Sequence, residues 1–331
     1  MVWLKFLLSL GIILFAGTKL ARYGDAIAEK TGLGRIWIGL ALLGLVTSIP
    51  ELATAVSASA LVKLPDLALG TLFGSCLFNL TIIAVLDAMH RKTPILSEVS
   101  SSHILPAGVG VLLIVIAAAN IVAGENSAGF SLGWVGVPSI IIFLVYLVGA
   151  RYIFRSERKQ QQPEVLAYTD IPAGTVYLRF ALAALAVIGA GIWLSFIGDE
   201  ISITTGWGAS FVGSLFLAIT TSMPELTVTI AAVRLGAMDM ALGDILGANM
   251  LDALAVIWAD LAYTEGPILP VAAKVHSITA VIVIAMSLLV IAGIKFRTQR
   301  KTFGVISWYG PLLIMLYIFG AYALFTSGIA I

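Results

Sequence analysis

Residues 47–52 read Thr-Ser-Ile-Pro-Glu-Leu and residues 221–226 read Thr-Ser-Met-Pro-Glu-Leu, each inside a long apolar stretch. A carboxylate in the middle of a spanning helix costs about 2.5–3.5 kcal/mol on an insertion scale, so its presence needs a reason. Proline has no N–H and its ring crowds the preceding turn. The carbonyl of Val46 therefore loses its helical partner at Pro50, and the helix is expected to kink there. Nearby carbonyls, that of Thr47 among them, can then swing out of the ladder, and in hydrocarbon they must face protein, water or an ion. The chemistry on offer is oxygen ligation by the Glu51 and Glu225 carboxylates, the hydroxyls of Thr47, Ser48, Thr221 and Ser222, and freed backbone carbonyls. That set suits a hard cation, and Ca²⁺ in particular takes roughly 6–8 oxygens in tolerant geometry.

The spacing carries a second message. Glu51 and Glu225 lie 174 positions apart, and so do Gly24 and Gly198, Asp25 and Asp199, Gly32 and Gly206, and Gly34 and Gly208. Residues 65–80 match 238–254 at an offset of 173, pairing Asp66 with Asp239, Gly70 with Gly243, Gly74 with Gly247, and Asn79 with Asp252. The chain reads as an internal duplication. Glycines at this spacing let helices approach closely, and Ser75 and Asn79 fall one turn apart on one face. No Lys or Arg lies in the helices that hold Glu51, Glu225 and Asp252. The bland alternative, a protonated acid in a packed interface, would have to arise twice beside a proline at one offset.

The elements that must position these residues follow from composition. Hydrophobic residues make up 60% and charged residues 11% of the 331, against roughly a quarter charged in a soluble domain. The expected fold is an all-α polytopic membrane protein. A formal charge of +1 argues against a nucleic-acid partner, and the single cysteine, Cys76, excludes an intrachain disulfide. About 20 apolar residues are needed per span. Ten segments qualify: 2–22, 36–61, 66–86, 103–123, 133–153, 174–196, 208–233, 240–262, 273–294 and 304–327. The first, with Lys19 and Arg22 at its far end, reads as a retained helix rather than a signal peptide. With the N-terminus outside, sixteen of the 19 basic residues fall on the cytoplasmic side and only Lys5, Lys63 and Lys274 outside, which places both termini outside.

The polar loop 154–172 divides the spans five and five. Five is odd, so the halves enter the membrane from opposite sides. The expected organisation is a first five-helix repeat (1–153, motif 44–80), a short cytoplasmic loop (154–172) and a second five-helix repeat (173–331, motif 218–254), the inverted-topology plan of secondary transporters. Other residues receive structural readings. Cys76 is a small packing residue, His90, His103 and His276 are solvated near helix ends, and Asp25 and Asp199 cap the next short helix. Trp3, Trp37, Trp134, Trp207 and Trp308 form an aromatic belt.

In these motifs the sequence resembles the cation/Ca²⁺ exchanger superfamily, and most closely its prokaryotic sodium/calcium exchanger branch, over almost the whole chain. The resemblance implies that Glu51 and Glu225 coordinate Ca²⁺ and share in Na⁺ binding, with the Thr47 and Thr221 carbonyls as neutral Ca²⁺ ligands. It also implies that Ser48, Ser75 and Ser222 supply hydroxyls to flanking Na⁺ sites, that Gly44 and Ala218 offer backbone oxygens, and that Asn79 and Asp252 hold the central amide and acid. The chain departs from the family at four places. Thr71 and Cys76 stand where asparagine is usual, Asp244 replaces another asparagine, and Ala248 replaces a serine that would line a Na⁺ site.

The implied function is a secondary active antiporter in a prokaryotic cell membrane, exchanging Ca²⁺ for Na⁺ by alternating access at a midplane acidic site. It implies no enzymatic activity, no cofactor and no obligatory protein partner, its ligands being inorganic cations and its surroundings the bilayer. Asp244 and Ala248 motivate an alternative, a proton-coupled divalent-cation antiporter. A cation channel and an intramembrane enzyme are weaker readings, and the sequence has neither a His-Glu-x-x-His motif nor a Ser–His pair.

Overall fold

The computed structural model describes residues 2–91, 93–124, 129–159, 168, 171–205 and 217–329. The long helices are α1 (Val2–Thr31), the bent pair α2 (Arg35–Thr47) and α3 (Ile49–Leu61), and α4 (Pro65–Met89). The short α5 (Ile95–Glu98) leads to α6 (Ile104–Ala123) and α7 (Val137–Lys159). The second half holds α8 (Ala173–Thr205), α9 (Leu217–Thr221), α10 (Met223–Arg234), α11 (Met238–Ala262), the short α12 (Ile268–Val271), α13 (Val275–Lys295) and α14 (Tyr309–Ile329). Among the described residues seven helices are long and apolar enough to cross a membrane, or eight if the pair bent by 41° counts as one span. Leu4, Leu7, Phe15, Leu182 and Leu185 point outward and are exposed. Faces of that kind are stable only against hydrocarbon, and the protein is an integral membrane protein.

Two helices outrun their expected ends. α1 continues to Thr31 past the span expected at 2–22, and α8 to Thr205 past 174–196. Hydropathy falls at the basic and acidic residues, but Ala26, Ile27 and Ala28 still bury an apolar face and hold the helix together. The span expected at 133–153 begins instead with a two-residue antiparallel hairpin pairing Ser131 with Gly136 and Leu132 with Val135, turned at Gly133. Of the segment expected at 208–233, only its part from 217 onward lies within the described residues, and Trp207 lies outside them.

α4 and α11 form the centre: 83% and 94% of their apolar windows are buried, against 17% for α7. α11 is seated on α2 through glycine. A Cβ at Gly247 would stand 2.2 Å from the Leu40 carbonyl oxygen, and one at Gly39 would stand 2.3 Å from that of Met240. The two backbones touch directly, which only hydrogen side chains permit.

Polar ties at the helix ends repeat at the 173 offset. His103 Nε2 lies 3.0 Å from Asp239, and His276 Nε2 lies 3.2 Å from Asp66. Ser100 N–H donates to Asp239 and Ala273 N–H to Asp66, both at 2.7 Å. Asp87 accepts from Ile95 N–H and Asp260 from Ile268 N–H. These contacts correct the expectation for two histidines: His103 and His276 are 0% and 3% exposed and tie one half to the other. His90 instead lies 3.0 Å from the half-exposed Glu98. The expectation for Asp25 also fails. It sits inside α1, 2.5 Å from Arg35 Nε, and caps no helix. A neighbouring Arg offered it a stronger partner than a helix N-terminus. The side chain of Asp199 lies outside the described residues.

The candidate cation site

The expected kink at Pro50 is a bend of 41° made by a full break, after which the proline starts a new helix. The ladder stops at the bond from Ser48 N–H to the Gly44 carbonyl (3.0 Å) and resumes with Leu52 N–H to the Ser48 carbonyl (3.1 Å). Ser48 sits at the break with φ −85° and ψ 0°, and α3 begins at Ile49 with Pro50 in its first turn. Proline is favoured there because its missing N–H has no helical partner to lose. α10 begins the same way after Ser222, with φ −87° and ψ 11°. Glu51 and Glu225 thus stand in the first turns of new helices, where the helix dipole favours an anion.

Ser-x-x-Glu at a helix start has the spacing of a capping box, yet neither serine caps its own helix. The hydroxyls cross over. Ser222 Oγ donates to Glu51 Oε1 at 2.9 Å, and Ser48 Oγ donates to Glu225 Oε1 at 3.5 Å. Each half's serine serves the other half's glutamate. Asn79 Nδ2 of α4 donates to Asp252 Oδ2 of α11 at 3.5 Å, and Thr47 Oγ1 of α2 lies 3.3 Å from Asp244 Oδ1 of α11.

All four acids are at most 1% exposed, and none is paired with Lys or Arg among the described residues. Each keeps one carboxylate oxygen without a hydrogen-bond partner: Glu51 Oε2, Glu225 Oε2, Asp244 Oδ2 and Asp252 Oδ1. Asn79 Oδ1 and Ser75 Oγ are in the same condition. Buried acceptors are normally satisfied, so a group of unmet oxygens, four of them carboxylate, is arranged for a positive ligand. Among the described residues no three His, Cys, Asp or Glu side chains stand close enough together to hold one metal ion.

Hydrogen-bond contacts thus link Ser222 to Glu51, Ser48 to Glu225, Asn79 to Asp252 and Thr47 to Asp244. The Gly44 carbonyl accepts from Ser48 N–H and lies 3.3 Å from Thr47 Oγ1, and the Ala218 carbonyl accepts from Ser222 N–H and Thr221 Oγ1. Cys76, expected as mere packing, lines the site with its sulfur 3.8 Å from Asp252 Oδ2. Its place beside Ser75, in the stretch that pairs with α11, was the signal for this. Ala248 is buried, and its backbone nitrogen would stand 3.1 Å from a Cβ on Gly44. Across the breaks, α8 presents Gly191, where a Cβ would lie 2.5 Å from Pro50 Cγ and 3.6 Å from Pro224 Cγ. Both breaks thus converge on one glycine of α8.

With this geometry established, known proteins supply the context. The family model for "sodium/calcium exchanger protein" matches residues 1–151 and 175–327. The chain belongs to that family. Among this exchanger's curated relatives are the inner membrane protein YrbG of Escherichia coli K12, 27% identical over 284 residues (84% of this chain and 85% of that protein), and the sodium/calcium exchanger MaX1 of Methanosarcina acetivorans, 25% identical over 352 residues (96% of each chain). A solved structure of the sodium-calcium exchanger NCX_Mj soaked with Na⁺ and Ca²⁺ has the same fold, with a TM-score of 0.74 at 20% identity, covering 96% of each chain.

Proposed function

We propose that this family member is a Ca²⁺/Na⁺ antiporter whose transport site is the buried oxygen set around Glu51 and Glu225. The observation that carries the reading is the crossed pair of Ser–Glu bonds, which brings both breaks and both carboxylates to one place without a counter-charge. Ca²⁺ is the substrate ligated by Glu51 and Glu225 with the Thr47 and Thr221 carbonyls. Na⁺ competes for the same carboxylates and draws on Ser48, Ser75, Ser222, Asn79 and Asp252, with Gly44 and Ala218 contributing backbone. Because one set of carboxylates serves both ions, binding is exclusive and exchange follows. The family match over two stretches and the polar ties repeated at one offset support ten spans in two inverted five-helix repeats, with 154–172 between them.

In this reading the body that moves for alternating access is α1 with α8. They are joined by Lys5–Glu200 at 2.7 Å, by Ser9 Oγ to the Ala190 carbonyl at 2.7 Å, and by Arg179 against the Tyr23 ring. Held together, they cross the breaks as one body, and sliding that body would open one side of the site and close the other. The driving force is the sodium gradient with the membrane potential, about 2.3 kcal/mol per charge per 100 mV.

The test is ⁴⁵Ca²⁺ uptake into proteoliposomes under an outward Na⁺ gradient, an outward proton gradient, or neither. Uptake driven by internal Na⁺, and lost in both Glu51→Gln and Glu225→Gln, is expected. Uptake that responds to protons alone, or that survives either substitution, refutes the reading.

A further inference from the structure

α11 presents Asp244, Ala248 and Asp252 one turn apart on a face, and the matching residues of α4 are Thr71, Ser75 and Asn79. The second half has lost a hydroxyl at Ala248 and gained a carboxylate one turn earlier. Asp244 lies two turns, about 12 Å of helix rise, from Asp252, too far to share one ion's shell with it.

What surrounds Asp244 is oxygen. Its Oδ1 lies 3.3 Å from Thr47 Oγ1, and that hydroxyl lies 3.1 Å from the Leu43 and 3.3 Å from the Gly44 carbonyl oxygen. Its Oδ2 is fully buried with no hydrogen-bond partner. The acid is one-sided, because the residue of α4 that matches Asp244 is Thr71. No Lys or Arg neutralises Asp244 among the described residues.

Resting on the exchanger reading, we propose that Asp244, the Thr47 hydroxyl and the Gly44 carbonyl form a separate subsite for a small alkali cation, displaced one turn along α11 from the position that Ala248 vacates. A monovalent ion fits because the subsite offers one negative charge and otherwise neutral oxygens. A divalent ion would need a second carboxylate within the shell. The second glutamate–threonine set of the central site is untouched, so Ca²⁺ is still held by Glu51 and Glu225.

The experiment counts ²²Na⁺ bound per chain by purified protein in detergent, with and without Asp244→Asn, each checked for a monodisperse elution peak. Asparagine keeps the shape and removes the charge. The wild type is expected to bind one Na⁺ more than the variant. Equal counts, or no Na⁺ bound by either, overturn the proposal and leave Asp244 as a neutral hydrogen-bonded acid. Should Asp244→Asn not fold, Thr47→Val and Thr47→Ser carry the test: losing the hydroxyl should raise half-saturating Na⁺ about tenfold, and serine should restore it. Identical Na⁺ curves for the two would sink it. Binding needs no transport, so the count stands even if Ca²⁺ uptake fails and the exchanger reading falls alone.

Discussion

At the scale of single residues, the crossed serines are the most informative contacts. Each hydroxyl leaves its own helix N-terminus uncapped in order to bond a carboxylate of the other half. Hydrogen bonds to charged groups are worth about 1.5–3 kcal/mol, or roughly ten- to hundredfold in an equilibrium constant. The bond at 2.9 Å from Ser222 is better formed than the one at 3.5 Å from Ser48. Ser222→Ala is therefore expected to raise the Ca²⁺ concentration for half-maximal ⁴⁵Ca²⁺ uptake at least about tenfold. Ser48→Ala should raise it less. A larger effect from Ser48 would mean that the two halves exchange roles when the ion binds.

At the scale of elements, glycine decides where helices may touch. A methyl on Gly247 would meet backbone at 2.2 Å, whereas one on Gly108 in α6 would have nothing within 4 Å. Carbonyl oxygens of a packed helix cannot turn aside as a side chain can. Gly247→Ala should force α2 away from α11 at a cost of about 1–3 kcal/mol or more, seen as a lower melting temperature in detergent. Gly108→Ala should be neutral or stabilise by up to about 1 kcal/mol, since glycine in a helix interior is itself unfavourable. Gly191 differs in kind, because its close neighbours are the ring carbons of Pro50 and Pro224 at both breaks. Gly191→Ala is expected to slow turnover while leaving half-saturating Ca²⁺ within about twofold, since it obstructs α8 and not the ligands; stopped-flow Ca²⁺ flux separates the two.

At the scale of the molecule, polar contacts sort the loops into two faces. Lys63 reaches Glu265 at 2.6 Å, and the Trp134 indole donates to the Leu261 carbonyl, so residues near 63, 134 and 265 share one side. Arg297 donates to the Val99 carbonyl, and Lys301 bonds the backbone of Asp87, so residues near 90–100 and 297–301 share another. Tyr168, between the halves, is held too: its N–H donates to Glu29, its hydroxyl to Asp25, and Lys30 donates to its carbonyl. Charge asymmetry predicts that the second face is the cytoplasmic one. A cysteine placed at Lys63 should react with a membrane-impermeant maleimide added to intact cells, and one at Arg297 only after the cells are opened. Cys76, the one native cysteine, is buried and should stay silent. The reverse labelling would invert the orientation while leaving the fold intact.

The breaks were legible in the chain before any folding, because they rest on local chemistry: a missing N–H at proline beside a carboxylate that hydrocarbon will not accept unpaired, recurring at an offset read by counting. Thr47, Ser48, Glu51 and their partners at 221–225 could be picked out for that reason. The histidines and Asp25 were misplaced, because burial and pairing of a helix-end residue depend on what the rest of the fold brings to it. Packing alone settled that each serine serves the opposite glutamate, that Cys76 faces Asp252, and that the extra acid Asp244 meets Thr47. The contacts between halves join residues some 170 to 200 positions apart. No propensity or spacing within either half encodes which surfaces the seating of α2 on α11 brings face to face.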